Sequence, residues 1–85
     1  MKVEVRLYGA LRRYRPAGAS ATPHLSFVVE LPSQATIDDL SRHLGILEGF
    51  VSAAAVNDEA VESTAVLRDG DRVGLFPPSA GGGKT

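Results

Sequence analysis

The feature that most narrows the possible folds is one helix signal set between strand signals. Thr36-Ile37-Asp38-Asp39 places a hydroxyl where it can cap the first free N–H groups of a helix, with Asp39 at the reciprocal capping-box position. Both carboxylates favour a helix N-terminus through its partial positive charge. Ile37, Leu40 and Leu44 recur at i, i+3 and i+7 as one apolar stripe, and Gly45 fits the left-handed position that ends many helices. A short helix of this kind has to pack its stripe against a sheet.

The flanking runs supply that sheet. Val3, Val5 and Leu7 alternate with Lys2, Glu4, Arg6 and Tyr8, which predicts a strand with one buried side, ended by Gly9. Ala10 to Arg15 can make a short helical turn, with Leu11 and Tyr14 on one side, and Pro16 to Pro23 reads as a loop rich in breakers. Leu25, Phe27, Val29 and Leu31 predict a second strand, stopped by Pro32. After the helix, Ile46 to Phe50 reads as a connection lending apolar side chains to the core. Ser52 to Val56 predicts a third strand, Asn57-Asp58-Glu59 a turn, and Ala60-Val61-Glu62 a brief pairing segment. Val66 and Leu67 are expected to rejoin the core before a turn at Asp69-Gly70-Asp71. Arg72 to Phe76 is the last strand, with Val73 and Leu75 inward and Phe76 outward. By parity, Tyr8, Val28, Val56 and Phe76 share the outward sheet face, and Tyr8 and Phe76 are the candidates there for docking a partner.

The order strand, strand, helix, strand, short strand, strand predicts an α+β fold. Its form is the β-grasp, or ubiquitin-like, architecture: a mixed sheet of four to five strands with one main helix packed on one face. A small antiparallel sandwich is the alternative. At 85 residues the chain is one domain, expected over residues 1–80, with 81–85 a flexible Gly-rich tail.

Composition removes several function classes. A net charge of −1 gives no basis for nucleic-acid binding. The chain has no cysteine, which excludes disulfides, thiolate metal sites and a thiol nucleophile. No run approaches the roughly 20 apolar residues of a membrane helix, and the N-terminus has no signal-peptide block, so a cytoplasmic location is expected. His24 and His43 stand without a ligand cluster, which argues against a metal site. Asp38 and Asp39 fit helix capping better than acid–base work. Arg12, Arg13 and Arg15 with Tyr8 and Tyr14 form a basic-aromatic patch, read as a solvated turn with partner docking as the alternative. Gly83-Lys84-Thr85 echoes the end of a P-loop, but Pro78 occupies the place of that motif's first glycine.

The last stretch carries the functional signal. Phe76-Pro77-Pro78-Ser79-Ala80-Gly81-Gly82-Gly83-Lys84-Thr85 leaves a strand, passes two prolines and loses its side chains. Such an arm is slim and can approach another surface closely. Its chemistry, where it has any, belongs to a backbone carboxyl group.

From Val66 through Asp69-Gly70-Asp71 to Phe76-Pro77-Pro78-Ser79-Ala80-Gly81-Gly82, the chain resembles the C-terminal signature of the MoaD/ThiS sulfur-carrier family. Tyr8-Gly9, Thr36 to Leu40 and Ala55-Val56-Asn57 extend the likeness. The resemblance implies a ubiquitin-like protein co-substrate, not an enzyme. A ubiquitin-activating-like adenylyltransferase, using ATP and magnesium, activates the terminal glycine carboxylate, which becomes a thiocarboxylate. Sulfur then passes to an acceptor on a partner such as the large subunit of molybdopterin synthase; no cofactor is bound by the carrier itself. Gly81 and Gly82 match the family's diglycine, and Tyr8, Phe76, Pro77, Pro78 and Ala80 become partner-binding candidates. Members ready for activation end on the second glycine, whereas this chain continues with Gly83-Lys84-Thr85. Either a peptidase trims the tail, after Gly82 or after Gly83, or the protein is not a carrier in this form; a vector-derived Lys84-Thr85 is a further alternative. The resemblance points to molybdenum cofactor biosynthesis slightly more than to the thiamine branch. A ubiquitin-like modifier joined to lysines, or a scaffold that never uses its terminus, are the alternatives.

Overall fold

A computed structural model describes residues 1–16, 26–47 and 49–78. Five strands form one mixed sheet: β1 (Lys2–Leu7), β2 (Phe27–Glu30), β3 (Ala53–Val56), β4 (Glu59–Val61) and β5 (Arg72–Phe76). Their spatial order is β2-β1-β5-β3-β4. The central pair, β1 and β5, is parallel, with Val5 opposite Val73 and Leu7 opposite Leu75. β2 joins β1, β3 joins β5 and β4 joins β3, all antiparallel. β2 and β3 therefore run in the same direction on opposite sides of the central pair. A connection between such strands has to cross the sheet, and helix α1 (Ile37–His43) lies in that crossing. This is the ubiquitin-like β-grasp that the order of sequence signals predicts.

The helix is short, so its ends matter. Both halves of the capping box form: the Asp39 N–H donates to Thr36 Oγ1 at 3.1 Å, and the Thr36 N–H donates to Asp39 Oδ2 at 3.0 Å. Two further first-turn groups, the N–H of Ile37 and of Asp38, donate to the carbonyls of Ala65 and Ser63. At the other end Gly45 takes φ +79°, and the N–H groups of Gly45 and Ile46 return to the carbonyls of Arg42 and Ser41. That is a Schellman closure, and the left-handed residue it needs is the expected glycine. Ile37 and Leu40 are buried in one cluster with Val3, Val5, Val29, Val73 and Leu75. Each such side chain contributes roughly 1.5–3 kcal/mol by leaving water.

Several local expectations need correction. Asn57 and Asp58, at φ +52° and +72°, make the β3–β4 turn by themselves, so β4 starts at Glu59, which pairs with Val56. Two successive left-handed residues match the twist of a two-residue hairpin. Val66 does not rejoin the core; it is 58% exposed while Leu67 is buried. Adjacent side chains of an extended segment point to opposite sides, and the Val66–Thr36 bridge leaves only Leu67 facing inward. Of the connection after α1, Ile46 is buried but Leu47 and Phe50 are exposed. The helical turn after β1 is a 3₁₀ helix over Gly9–Tyr14, with Leu11 buried. The expected loop from Ala17 to Pro23, along with His24 and Leu25, lies outside the described residues, as does everything after Pro78.

Candidate functional site

The site is built where the two central strands end together. Leu7 and Leu75 face each other on the buried side, so the next residues, Tyr8 and Phe76, both turn outward. Their rings stack with centroids 4.4 Å apart and planes 8° from parallel. Such pairs contribute about 0.5–1.5 kcal/mol beyond area burial. Gly74 makes room for them: a Cβ there would lie 3.2 Å from Tyr8 Cε2. β5 is held from both sides up to its last residue. Tyr8 N–H donates to the Leu75 carbonyl at 3.1 Å, and Ser52 N–H donates to the Phe76 carbonyl at 2.8 Å. Pro77 and Pro78 follow and have no N–H to extend the ladder. Half-buried Pro77 meets Gly9, which has φ +56° and whose Cβ, had it one, would lie 2.8 Å from Pro77 Cγ.

The structure thus brings Tyr8, Phe76 and Pro77 together, with Pro78 exposed just beyond. Ala80, Gly81, Gly82, Gly83, Lys84 and Thr85 lie outside the described residues. Val28 does face outward, 65% exposed, but it stands opposite Glu4, well back from the stack. Val56 does not share this face. It pairs with Val73, a buried residue, and packs against the core, so the outward positions of β3 are Ala53 and Ala55. The pairing of β3 with β5 fixes its register and turns Val56 to the side opposite the one its sequence position predicts. Gly9 and Gly74 were not singled out from the sequence as site residues. Their signal was a glycine directly after an aromatic strand end and a glycine inside an otherwise apolar strand.

Beside the stack the outward face forms an open depression of about 210 Å³, lined in part by Glu4, Arg6, Tyr8, Arg72, Gly74 and Phe76. It is apolar near the exit and charged away from it. The Ser26 hydroxyl donates to Glu4, and Arg72 reaches Asp58 at 3.6 Å. The basic-aromatic patch is partly structural: Arg12 Nε donates to the Gly9 carbonyl at 3.2 Å, and the Arg13 guanidinium lies 5.7 Å from the Tyr14 ring centre.

The opposite end of the β1–β5 pair shows what Asp69-Gly70-Asp71 does. Lys2 N–H donates to Asp69 Oδ1 at 2.8 Å, and Gly70 N–H, at φ +87°, donates to the Lys2 carbonyl at 2.7 Å. Asp71 accepts from Arg68 N–H at 2.8 Å and from Asn57 Nδ2 at 3.0 Å. Asn57 Oδ1 in turn accepts from Arg72 N–H at 3.0 Å. This part of the family-like signature is a register clamp, remote from the strand exit. Among the described residues no three His, Asp or Glu side chains converge as metal ligands, and no helix is long and apolar enough to cross a membrane.

This fold, with its central strand ending at an aromatic pair, is that of a ubiquitin-like protein. The chain belongs to the ThiS family, whose model matches residues 5–82. A protein assigned as molybdopterin converting factor, subunit 1, from Pyrococcus furiosus is 30% identical, with TM-score 0.63 over 91% of this chain and 97% of that one. The complex of subunits 1 and 2 of molybdopterin-converting factor from Helicobacter pylori 26695 contains a chain 28% identical, with TM-score 0.57, covering 95% of this chain and 99% of that one. Small archaeal modifier protein 1 from Haloferax volcanii shares the fold at 23% identity, with TM-score 0.64, 91% of this chain and 97% of that one. Comparison with curated protein sequences gives no match. The chain accords with a small non-enzymatic subunit of this family, as the resemblance implied.

Proposed function

We propose that the chain is a sulfur carrier acting in the cytoplasm through the carboxylate of Gly82, preceded by Gly81. The observation that carries this reading is the family match, which runs almost the whole chain and ends on Gly82. A peptidase removes Gly83-Lys84-Thr85 and exposes that carboxylate. A ubiquitin-activating-type adenylyltransferase, with ATP and magnesium, then lets the carboxylate oxygen attack the α-phosphorus and releases pyrophosphate. A sulfide-level donor attacks the acyl carbon, AMP leaves with the C–O bond electrons, and a thiocarboxylate results. The carboxylate alone is a poor electrophile; the mixed anhydride is a good one. The likeness to converting-factor subunits favours the second subunit of such a factor as the partner that accepts the sulfur, in molybdenum cofactor biosynthesis.

The fold supports this at the end of β5. It holds β5 up to Phe76, and the sequence then continues through two prolines without N–H donors towards the glycine run that begins at Gly81. Tyr8 and Phe76 offer the adenylating enzyme an aromatic anchor beside the arm's origin.

Intact mass of the protein from its native host tests the reading, followed by addition of the host's adenylating enzyme, ATP and a sulfur donor. Loss of Gly83-Lys84-Thr85 and then exchange of one oxygen for sulfur is the expected result. A terminus that stays at Thr85 overturns it. Glycine-linked adducts on lysines of other proteins would replace sulfur transfer with conjugation.

A further inference from the structure

The ladder bonds fix β5 sideways but say nothing about the direction in which the chain leaves it. The last bonds are Tyr8 N–H to Leu75 and Ser52 N–H to Phe76, one from each neighbour. Beyond them Pro77 has no N–H to continue the ladder, so packing of its ring helps to aim it. One contact of the ring is Gly9. Its left-handed backbone, φ +56°, starts the 3₁₀ helix directly after β1, and the absence of a Cβ leaves the space filled by the Pro77 ring. The seat is itself anchored, because Leu11 N–H donates to the Tyr8 carbonyl and Leu11 is buried. Arg12 Nε also holds the Gly9 carbonyl at 3.2 Å.

We propose that the Gly9–Pro77 contact is a seat that aims the C-terminal arm, making Gly9 a positioning residue for the reaction at the terminal carboxylate. This rests on the carrier reading above. The carboxylate of Gly82 is five residues beyond Pro77. A tilt at Pro77 changes the direction in which the chain leaves the sheet, so a partner that binds the face normally receives the carboxylate in fewer productive poses. A misplacement of about 1 Å can lower a rate on the order of 100-fold. Binding and turnover should therefore separate.

Two measurements test the seat. In the full chain, an NMR contact between Gly9 Hα and the Pro77 ring protons is expected, and its absence overturns the seat whatever the activity. Pyrophosphate release is then measured with the adenylating enzyme on the chain ending at Gly82, which keeps every described residue. Gly9→Ala is expected to lower kcat about tenfold, with KM within about twofold. Pro77→Ala removes the ring without straining residue 9 and is expected to lower kcat by a smaller factor. Gly9→Ala added to Pro77→Ala should lower kcat no further, although the left-handed strain still lowers Tm. Independent, multiplying kcat losses overturn the seat, as does wild-type kcat in a folded Gly9→Ala chain. Where Gly9→Ala does not fold, an unchanged kcat for Pro77→Ala overturns it. Failure of the unsubstituted chain to be activated overturns the carrier reading and the seat's role with it, and is distinguishable because it needs no variant.

Discussion

The two ends of the β1–β5 pair are made from the same strands but by opposite means. At the start, Asp69-Gly70-Asp71 and Asn57 tie β1, β5 and the β3–β4 turn together with directed hydrogen bonds. At the finish, two rings, two glycines and Pro77 meet by shape, and the backbone ladder stops. Hydrogen bonds specify register, because each has one partner and one geometry. Shape contacts specify direction without a directed bond. The carrier role proposed above calls for register at one end and a directed exit at the other.

The sharpest way to break this division is to damage what both ends share. Leu75 is fully buried and lies between them, opposite Leu7 and Ala54. Leu75→Ala should cost about 2–5 kcal/mol, read as a lower urea midpoint with both ends loosened together. Should only one end respond, the two are less coupled than a continuous strand implies. Phe76→Asp comes next and tests the exit alone. It removes an aromatic ring and places a charge on the proposed docking face, so affinity for the adenylating enzyme should fall about 30-fold, or about 2 kcal/mol. Stability should fall by no more than about 1.5 kcal/mol, the upper worth of the aromatic stack. Unchanged affinity would remove the docking role of this face. Asp71→Ala tests the other end. Losing the acceptor for Arg68 N–H and Asn57 should cost about 1–2 kcal/mol in unfolding, with pyrophosphate release by the adenylating enzyme unchanged.

The contrast also explains how much of the molecule was legible beforehand. Strands, helix and order follow from period-two and i, i+3, i+7 spacing, and those patterns are local, so the β-grasp and the capping box could be read directly. The aromatic pair was legible too, since parity along β1 and β5 puts Tyr8 and Phe76 on one face. Val56 was misplaced because its face depends on pairing with β5, a contact between distant segments that no local pattern encodes. Val66 was misassigned for a related reason: its backbone, through the bridge to Thr36, decides which neighbour turns inward. The Gly9–Pro77 contact joins residues 68 positions apart. Only the turn function of Gly9 showed in the sequence. The chemistry proposed for the tail rests on the family resemblance, since a backbone carboxylate has no side-chain signature.

The smallest expected effect asks whether location or chemistry makes the Asp-Gly-Asp end silent in turnover. The capping box of α1 uses the same bond, a backbone N–H donated to a carboxylate, at a third place. Thr36→Ala should cost about 1 kcal/mol. The Asp39 carboxyl is held below its ordinary value of 3.8, first by the Thr36 backbone N–H and then by the Arg42 guanidinium, which lies 2.8 Å away. Because the folded value is the lower one, the unfolded chain takes up the proton first. The stabilisation is therefore complete above the ordinary value and is lost as pH falls through the folded one. Asp39→Asn should flatten the loss of urea midpoint below about pH 4, with little change near pH 7 in KM or kcat for adenylation. If Asp39→Asn and Asp71→Ala both spare turnover, distance from the exit is what matters. If either lowers kcat with the fold intact, the clamp and the exit are one mechanical unit, and the division drawn between the two ends fails.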